Sequence, residues 1–152
     1  MHCWWCCMCK VNGETMDHLL LHCDYAQSLW SFIFCLFGVS WVMPRRVEDN
    51  LACWKGGFGR YCSLDIWSAI PLCIMWTLWW ERKQCTFEGV ECPPMELKWI
   101  FLLSLYEWVA TSCSLFFSLE EFLDLCTFNW SLFLYITLLV YIGSFYLFNN
   151  IS

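Results

Sequence analysis

The stretch CCMCKVNGETMDHLLLHC, residues 6–23, gathers the side chains of this sequence best suited to chemistry. Cys6 and Cys9 are two residues apart, His18 follows after eight more, and His22 and Cys23 close the run. A structural zinc site takes four thiolate or imidazole ligands in a tetrahedron. A Cys-x-x-Cys turn supplies two sulfurs from one tight loop, and a helix or its end commonly supplies the second pair. Cys3 and Cys6 share the same spacing, and Cys7 sits inside the pair. His18 and His22 stand at i, i+4 on one helical face, so Cys6, Cys9, His18 and His22 form one candidate cage. Cys23, at i+5 from His18, joins instead only where the helix begins late or bends. Spacing alone leaves the fourth ligand open between His22 and Cys23.

The elements that must position these ligands are helical. The first fourteen residues read as a cysteine-rich loop with a turn at Asn12-Gly13. Thr15 is a candidate cap, with Asp17 in the first turn, and Leu19, Ala26, Trp30, Ile33 and Phe37 then recur at helical spacing. Gly38 reads as the stop. A short helix is expected from Arg45 to Trp54, with Val47, Leu51 and Trp54 on one face. The run KGGFGR, residues 55–60, reads as a connector, because it lacks the Gly-Lys-Ser/Thr ending of a phosphate-binding loop. Ser63 to Lys83 is apolar nearly all round, which predicts a central buried helix bent at Pro71. Pro93-Pro94 opens another, whose apolar face is Met95, Trp99, Leu102, Tyr106 and Val109. Ser118 and Glu121 are spaced as a capping box for a last short helix.

Composition narrows the function classes. Of the 152 residues, 60% are hydrophobic and 14% charged, against about 25% charged in a typical soluble domain. The net charge of −6 opposes a protein whose main task is gripping phosphates. No Asp-Asp pair is present to hold catalytic metal ions, and no nucleophile elbow or zinc-protease helix motif occurs, so the chain is read as non-catalytic. No small-molecule substrate is expected. Twelve Trp at helical spacing read as core rather than as a base-stacking platform. Glu81 and Arg82 read as a solvated pair at a helix end. The opening residues lack a secretory pattern and the thirteen cysteines are odd in number, which points to a reducing, intracellular compartment. Dispersed cysteines such as Cys35, Cys53, Cys73 and Cys113 read as small buried hydrophobes.

After Asp124 no charged side chain occurs through Ser152. Residues 128–148 would span about 31 Å as a helix, enough for a bilayer's hydrocarbon core, with Trp130 and Tyr146 near the two ends. The expectation is a membrane-spanning, tail-anchoring helix, and with it a membrane partner.

The N-terminal motif resembles the zinc-binding domain found at the C-terminal end of plant LINE-type (non-LTR) retrotransposon reverse transcriptases. The matching positions are Cys6, Cys9, Glu14, Thr15, His18, Leu19, Cys23, Ala26, Leu29 and Trp30. The likeness continues through FGVSWVMP, WSAIPLCIMWTLWWERKQCTFEG and LKWIFLLSLYEW, covering about residues 3–113. Trp80 and Lys83 depart from the more polar run expected there, and nothing after Phe128 matches that family. The resemblance implies a structural Zn2+ held by Cys6, Cys9, His18 and Cys23, with His22 left on the helix face. It implies contact with RNA or DNA; the expected location is a membrane where the C-terminal helix inserts, and otherwise the nucleus or cytoplasm.

The expected fold is therefore mostly α. A zinc-stapled Cys/His loop and a helical bundle make one domain over residues 1–126, followed by an apolar C-terminal helix over 128–148. Two other readings follow from the same residues: a tail-anchored membrane protein with the zinc module on one side, and a retroelement remnant without function.

Overall fold

The computed structural model of the chain describes residues 5–54, 64–113 and 118–126. Among these residues the architecture is the expected one: a Cys/His loop followed by a helical bundle with no strand. After the loop come a π-helical turn His18–His22, α1 Asp24–Phe37, α2 Val47–Trp54 and α3 Leu64–Lys83. A second π turn, Gln84–Glu88, then leads to α4 Pro94–Cys113 and α5 Leu119–Cys126. The connector 55–60 and the apolar segment 128–148 lie outside the described residues. No helix among the described residues is long and apolar enough to cross a membrane.

The sequence predicts one helix from Thr15 to Phe37; the structure breaks it at Cys23. Thr15 does cap the start, its Oγ1 accepting the His18 N–H at 3.1 Å. The turn then widens, with the Cys23 N–H reaching back five residues to the His18 carbonyl at 2.6 Å. Cys23 itself is extended, with φ −61° and ψ 144°, and α1 begins at the next residue. A helix end leaves carbonyls without intrahelical donors. One of them, on Leu20, takes the indole N–H of Trp30 at 2.9 Å.

α1 buries Ala26, Leu29, Trp30, Phe32, Ile33 and Leu36. It stops at Gly38 as expected: φ there is +62°, Gly38 N donates to the Cys35 carbonyl, and Val39 N donates to the Phe34 carbonyl. Asp17 has a different job from the one expected. Rather than serving its own first turn, its Oδ1 accepts the Val47 N–H at 2.9 Å and so caps α2.

α3 carries Pro71 in its interior. A proline has no N–H for the carbonyl four residues back, which here belongs to Trp67. That carbonyl accepts the Trp54 indole N–H at 2.8 Å. The two rings also stack, their centroids 4.3 Å apart and planes within 11°. Trp30 meets Trp54 edge-on at 5.6 Å, and Phe37 meets Trp67 edge-on at 5.5 Å. An aromatic wedge between α1, α2 and α3 results, and the tryptophans in it are core as expected.

α3 is not buried all round. Ile66, Ile70, Cys73, Ile74, Thr77 and Leu78 face the core, while Leu72, Trp76, Trp79 and Trp80 are 44–60% exposed. The outward positions fall at 68, 72, 76, 79, 80 and 83, a helical stripe that is apolar except for Ser68 and Lys83 at its two ends. The nearly uniform apolarity of the sequence hid which side faces water. α4 packs against α3 and α1 and buries Leu97, Trp99, Phe101, Leu102, Leu105 and Val109. Met95, assigned to its buried face, is exposed instead, because it sits in the first turn where α4 has just begun. Among the cysteines, Cys73 is buried and its thiol is pushed up to about 12 by burial. Cys35 and Cys53, also expected inside, are exposed.

Ser118 and Glu121 form the expected reciprocal box at the start of α5, Glu121 N to Ser118 Oγ at 3.2 Å and Ser118 N to Glu121 Oε2 at 2.8 Å. Phe122 seats α5 edge-on against Tyr106 of α4, at 5.5 Å.

Candidate metal centre

The loop that begins the described chain doubles back sooner than the Asn12-Gly13 dipeptide suggests. Cys6 N donates to the Asn12 carbonyl at 2.7 Å and Lys10 N donates to the Cys6 carbonyl at 2.8 Å. The turn therefore spans Cys7 to Lys10, with Lys10 in the left-handed region at φ +59°. A residue other than glycine rarely adopts that conformation. Here it swings Cys9 back toward Cys6, and the chain then returns alongside Trp5 at Gly13.

Two ion pairs and two thiols dock this knuckle onto the end of α3. Arg82 Nε donates to Glu14 Oε1 at 2.7 Å, Nη2 of the same guanidinium also reaches that oxygen, and Lys10 pairs with Glu91. The Arg82–Glu14 pair is largely enclosed, so it is worth more than an exposed one. Cys85 Sγ donates to the Cys7 carbonyl at 3.1 Å, and Thr86 Oγ1 donates to Cys7 Sγ at 3.3 Å. Glu81 and Arg82 are thus not a solvated pair. Glu81 is 5% exposed and accepts the Cys92 N–H at 2.7 Å. Burial holds its carboxyl above the ordinary range.

The ligand atoms of Cys6, Cys9, His18 and Cys23 all lie within 4.8 Å of one another. Cys6 Sγ and Cys23 Sγ are 3.8 Å apart, and Cys9 Sγ and His18 Nε2 are 3.3 Å apart. A tetrahedron with metal–sulfur bonds of about 2.3 Å and metal–nitrogen bonds of about 2.0 Å has sulfur–sulfur edges of about 3.8 Å and sulfur–nitrogen edges of about 3.5 Å. Both separations fit those edges, and 3.8 Å is far beyond a disulfide bond. Cys6 and Cys23 are fully buried, His18 is nearly so, and Cys9 is half-buried at the rim.

The surroundings favour thiolates once a cation is present. Burial raises the Cys6 thiol above its ordinary range, while the backbone N–H groups of Cys9 and Met8 donate to its sulfur. Burial also drives Cys23 up to about 12, against the pull of the Tyr25 N–H at the start of α1. Cys9 goes the other way: burial pushes it up, but the N–H groups of Val11 and Asn12, His18 and Cys6 together bring it down to about 6. Each sulfur therefore has at least one backbone donor, the arrangement that stabilises charge on sulfur. A divalent ion at this position would supply counter-charge to the thiolates that burial otherwise opposes.

His22, the alternative fourth ligand, is not part of the cluster. Its Nε2 hydrogen-bonds the Arg45 carbonyl at 3.0 Å and the side chain ties the π turn to the start of α2. The break at Cys23 brings that sulfur into the cluster and leaves His22 on the Arg45 carbonyl. The docking roles of Arg82, Cys85 and Glu91 were not legible in the sequence, because they depend on where the end of α3 lands. The one available signal was Glu14 among the motif positions.

Comparison with family models, with curated proteins and with solved structures returns no match.

Proposed function

We propose that this chain is a structural zinc module, in which one Zn2+ held by Cys6, Cys9, His18 and Cys23 fastens the N-terminal knuckle to the helical bundle. The observation that carries this reading is the pair of separations, 3.8 Å and 3.3 Å, that match two edges of one tetrahedron. Sulfur-rich tetrahedral sites favour zinc over the harder divalent cations. Four protein ligands fill the coordination sphere and leave no open position for water or substrate, which supports a structural and non-catalytic role. A thiolate cage of this kind calls for a reducing compartment.

The parentage suggested by the motif belongs to the same proposal. Glu14 pairs with Arg82, Thr15 caps the turn that carries His18, and Trp30 closes the end of that turn. Seven of the ten residues quoted for the resemblance to a reverse-transcriptase zinc-binding domain thus have a task in building or docking the cage, and the other three, Leu19, Ala26 and Leu29, are buried in the core beside it. That kinship suggests RNA or DNA as a partner. The charge distribution supports a scaffold role first, since Lys10, Arg46 and Arg82 are each engaged by a carboxylate.

Cobalt(II) titration of the purified chain tests the cage through the thiolate-to-metal absorption band. One equivalent should develop the band, His22→Ala should leave it intact, and combined Cys9→Ser and Cys23→Ser changes should abolish it. A band that survives the double change, or is lost with His22→Ala, would overturn the ligand assignment.

A further inference from the structure

Beyond the cage, a second set of sulfur contacts joins the knuckle to the end of α3. Cys7 is not a metal ligand in this arrangement; it projects from the knuckle between Cys6 and Cys9 toward the π turn Gln84–Glu88. Cys85 Sγ donates to the Cys7 carbonyl at 3.1 Å, Thr86 Oγ1 donates to Cys7 Sγ at 3.3 Å, and Cys7 Sγ lies 3.9 Å from the Arg82 carbonyl. The Cys7 sulfur is thus set among residues 82–86 while the Cys85 sulfur lies against the Cys7 backbone. Both cysteines are half-buried, within reach of a small reagent, although 78 residues separate them in sequence. The docking contacts around them, Arg82 to Glu14 and Lys10 to Glu91, hold the two segments in place from either side.

We propose that Cys7 and Cys85 are a reversible thiol–disulfide site that covalently locks the knuckle to the end of α3 when the surroundings become oxidising. The oxidant is a low-molecular-weight disulfide. Cys7, whose sulfur already accepts the Thr86 hydroxyl, loses its proton to solvent and attacks one sulfur of that disulfide, giving a mixed disulfide and expelling one small thiolate, which takes up a proton. Cys85 then loses its proton to solvent and attacks the Cys7 sulfur, closing the protein disulfide and releasing the second small thiol. Two protein thiols are oxidised, one small disulfide is reduced to two thiols, and no other reactant is needed. Cys6, Cys9 and Cys23 stay out of the exchange because the metal occupies their sulfurs. Cys73 stays out because it is buried, and Cys35 and Cys53 because they are exposed on α1 and α2, away from the joint.

Oxidised glutathione is the probe. The metal-loaded full chain is incubated with it, free thiols are alkylated, and the linked peptides are assigned by tandem fragmentation, with metal content measured in parallel. The expected product is a Cys7–Cys85 bond with one metal ion retained, formed about tenfold or more faster than glutathione adds to exposed Cys35. Cys85→Ser should stop the reaction at a glutathione adduct on Cys7, without loss of metal. A lasting adduct on Cys7 in the unaltered chain, a bond from Cys7 to a cage cysteine, or no reaction above the Cys35 rate would each overturn the proposal. Because metal content is read separately, failure of the cage and failure of the thiol pair give different results.

Discussion

Among the described residues the helical hydrogen-bond ladder is interrupted at Cys23, and again at Pro71 within the unbroken α3, and the same device repairs both. At each, a backbone carbonyl loses its helical donor and an indole N–H from another segment replaces it: Trp30 for Leu20, Trp54 for Trp67. The two indoles meet edge-on at 5.6 Å, so the repairs share one aromatic wedge. They differ in what else holds them. Cys23 is extended and its sulfur lies in the Cys/His cluster that could hold a metal ion, whereas the site at Pro71 rests on packing and one hydrogen bond. With the proposed ion bound, the first break would be conditional on its ligand; the second would not.

That contrast can be broken in solution. Removing the metal with a chelator should cost the most, because binding free energy at such sites is largely folding free energy. Amide hydrogen exchange over Cys6–Cys23 should accelerate by about a hundredfold or more, while amides of α3 and α4 near Ile70 and Leu102 keep their protection. Equal loss in both regions would show a single cooperative unit. Next in size, Trp54→Ala should lower stability in urea by about 3–5 kcal/mol. Trp54→Phe keeps a ring but orphans the Trp67 carbonyl and should cost about 1–3 kcal/mol. Adding Pro71→Ala restores an N–H four residues on and should recover part of that loss; strict additivity of the two changes would refute the repair. Arg82→Gln, which unhooks the knuckle from α3, should cost about 2 kcal/mol and reduce metal retention against a competing chelator. Smallest of all, Trp76→Ser on the outward stripe should move stability by no more than about 0.5 kcal/mol while raising solubility. A larger drop in the denaturation midpoint would mean that the stripe is covered in the intact chain.

The same contrast marks how far the sequence could be read. Signals that act over three or four residues were legible: the Thr15 cap, the Gly38 stop, Pro94 opening α4, and the Ser118–Glu121 box. The four residues that the structure gathers, Cys6, Cys9, His18 and Cys23, are the set that the motif and its spacing together named. Spacing alone could not choose between His22 and Cys23, because the choice lies in a backbone break that the helical periodicity runs straight through. Burial around α3 was illegible for another reason. When nearly every position is apolar, periodicity carries no information about which side faces water, and Trp76, Trp79 and Trp80 read the same as Ile70 or Ile74. Glu81 and Arg82 were misread because their partners, Cys92 and Glu14, lie across a turn and across the domain respectively.

The wide turn before Cys23 also bears on how such a chain can drift. Cys23 completes the turn through its N–H and starts the following helix, so the five-residue step from His18 has no slack. Deleting or duplicating one codon there would rotate the sulfur by about 100° around the axis and out of the cage. The stretch between Cys9 and Thr15 is loop and has no such phase to keep. Length variants should therefore be tolerated ahead of the capped turn and eliminated within it, a bias that deep insertion–deletion scanning would register.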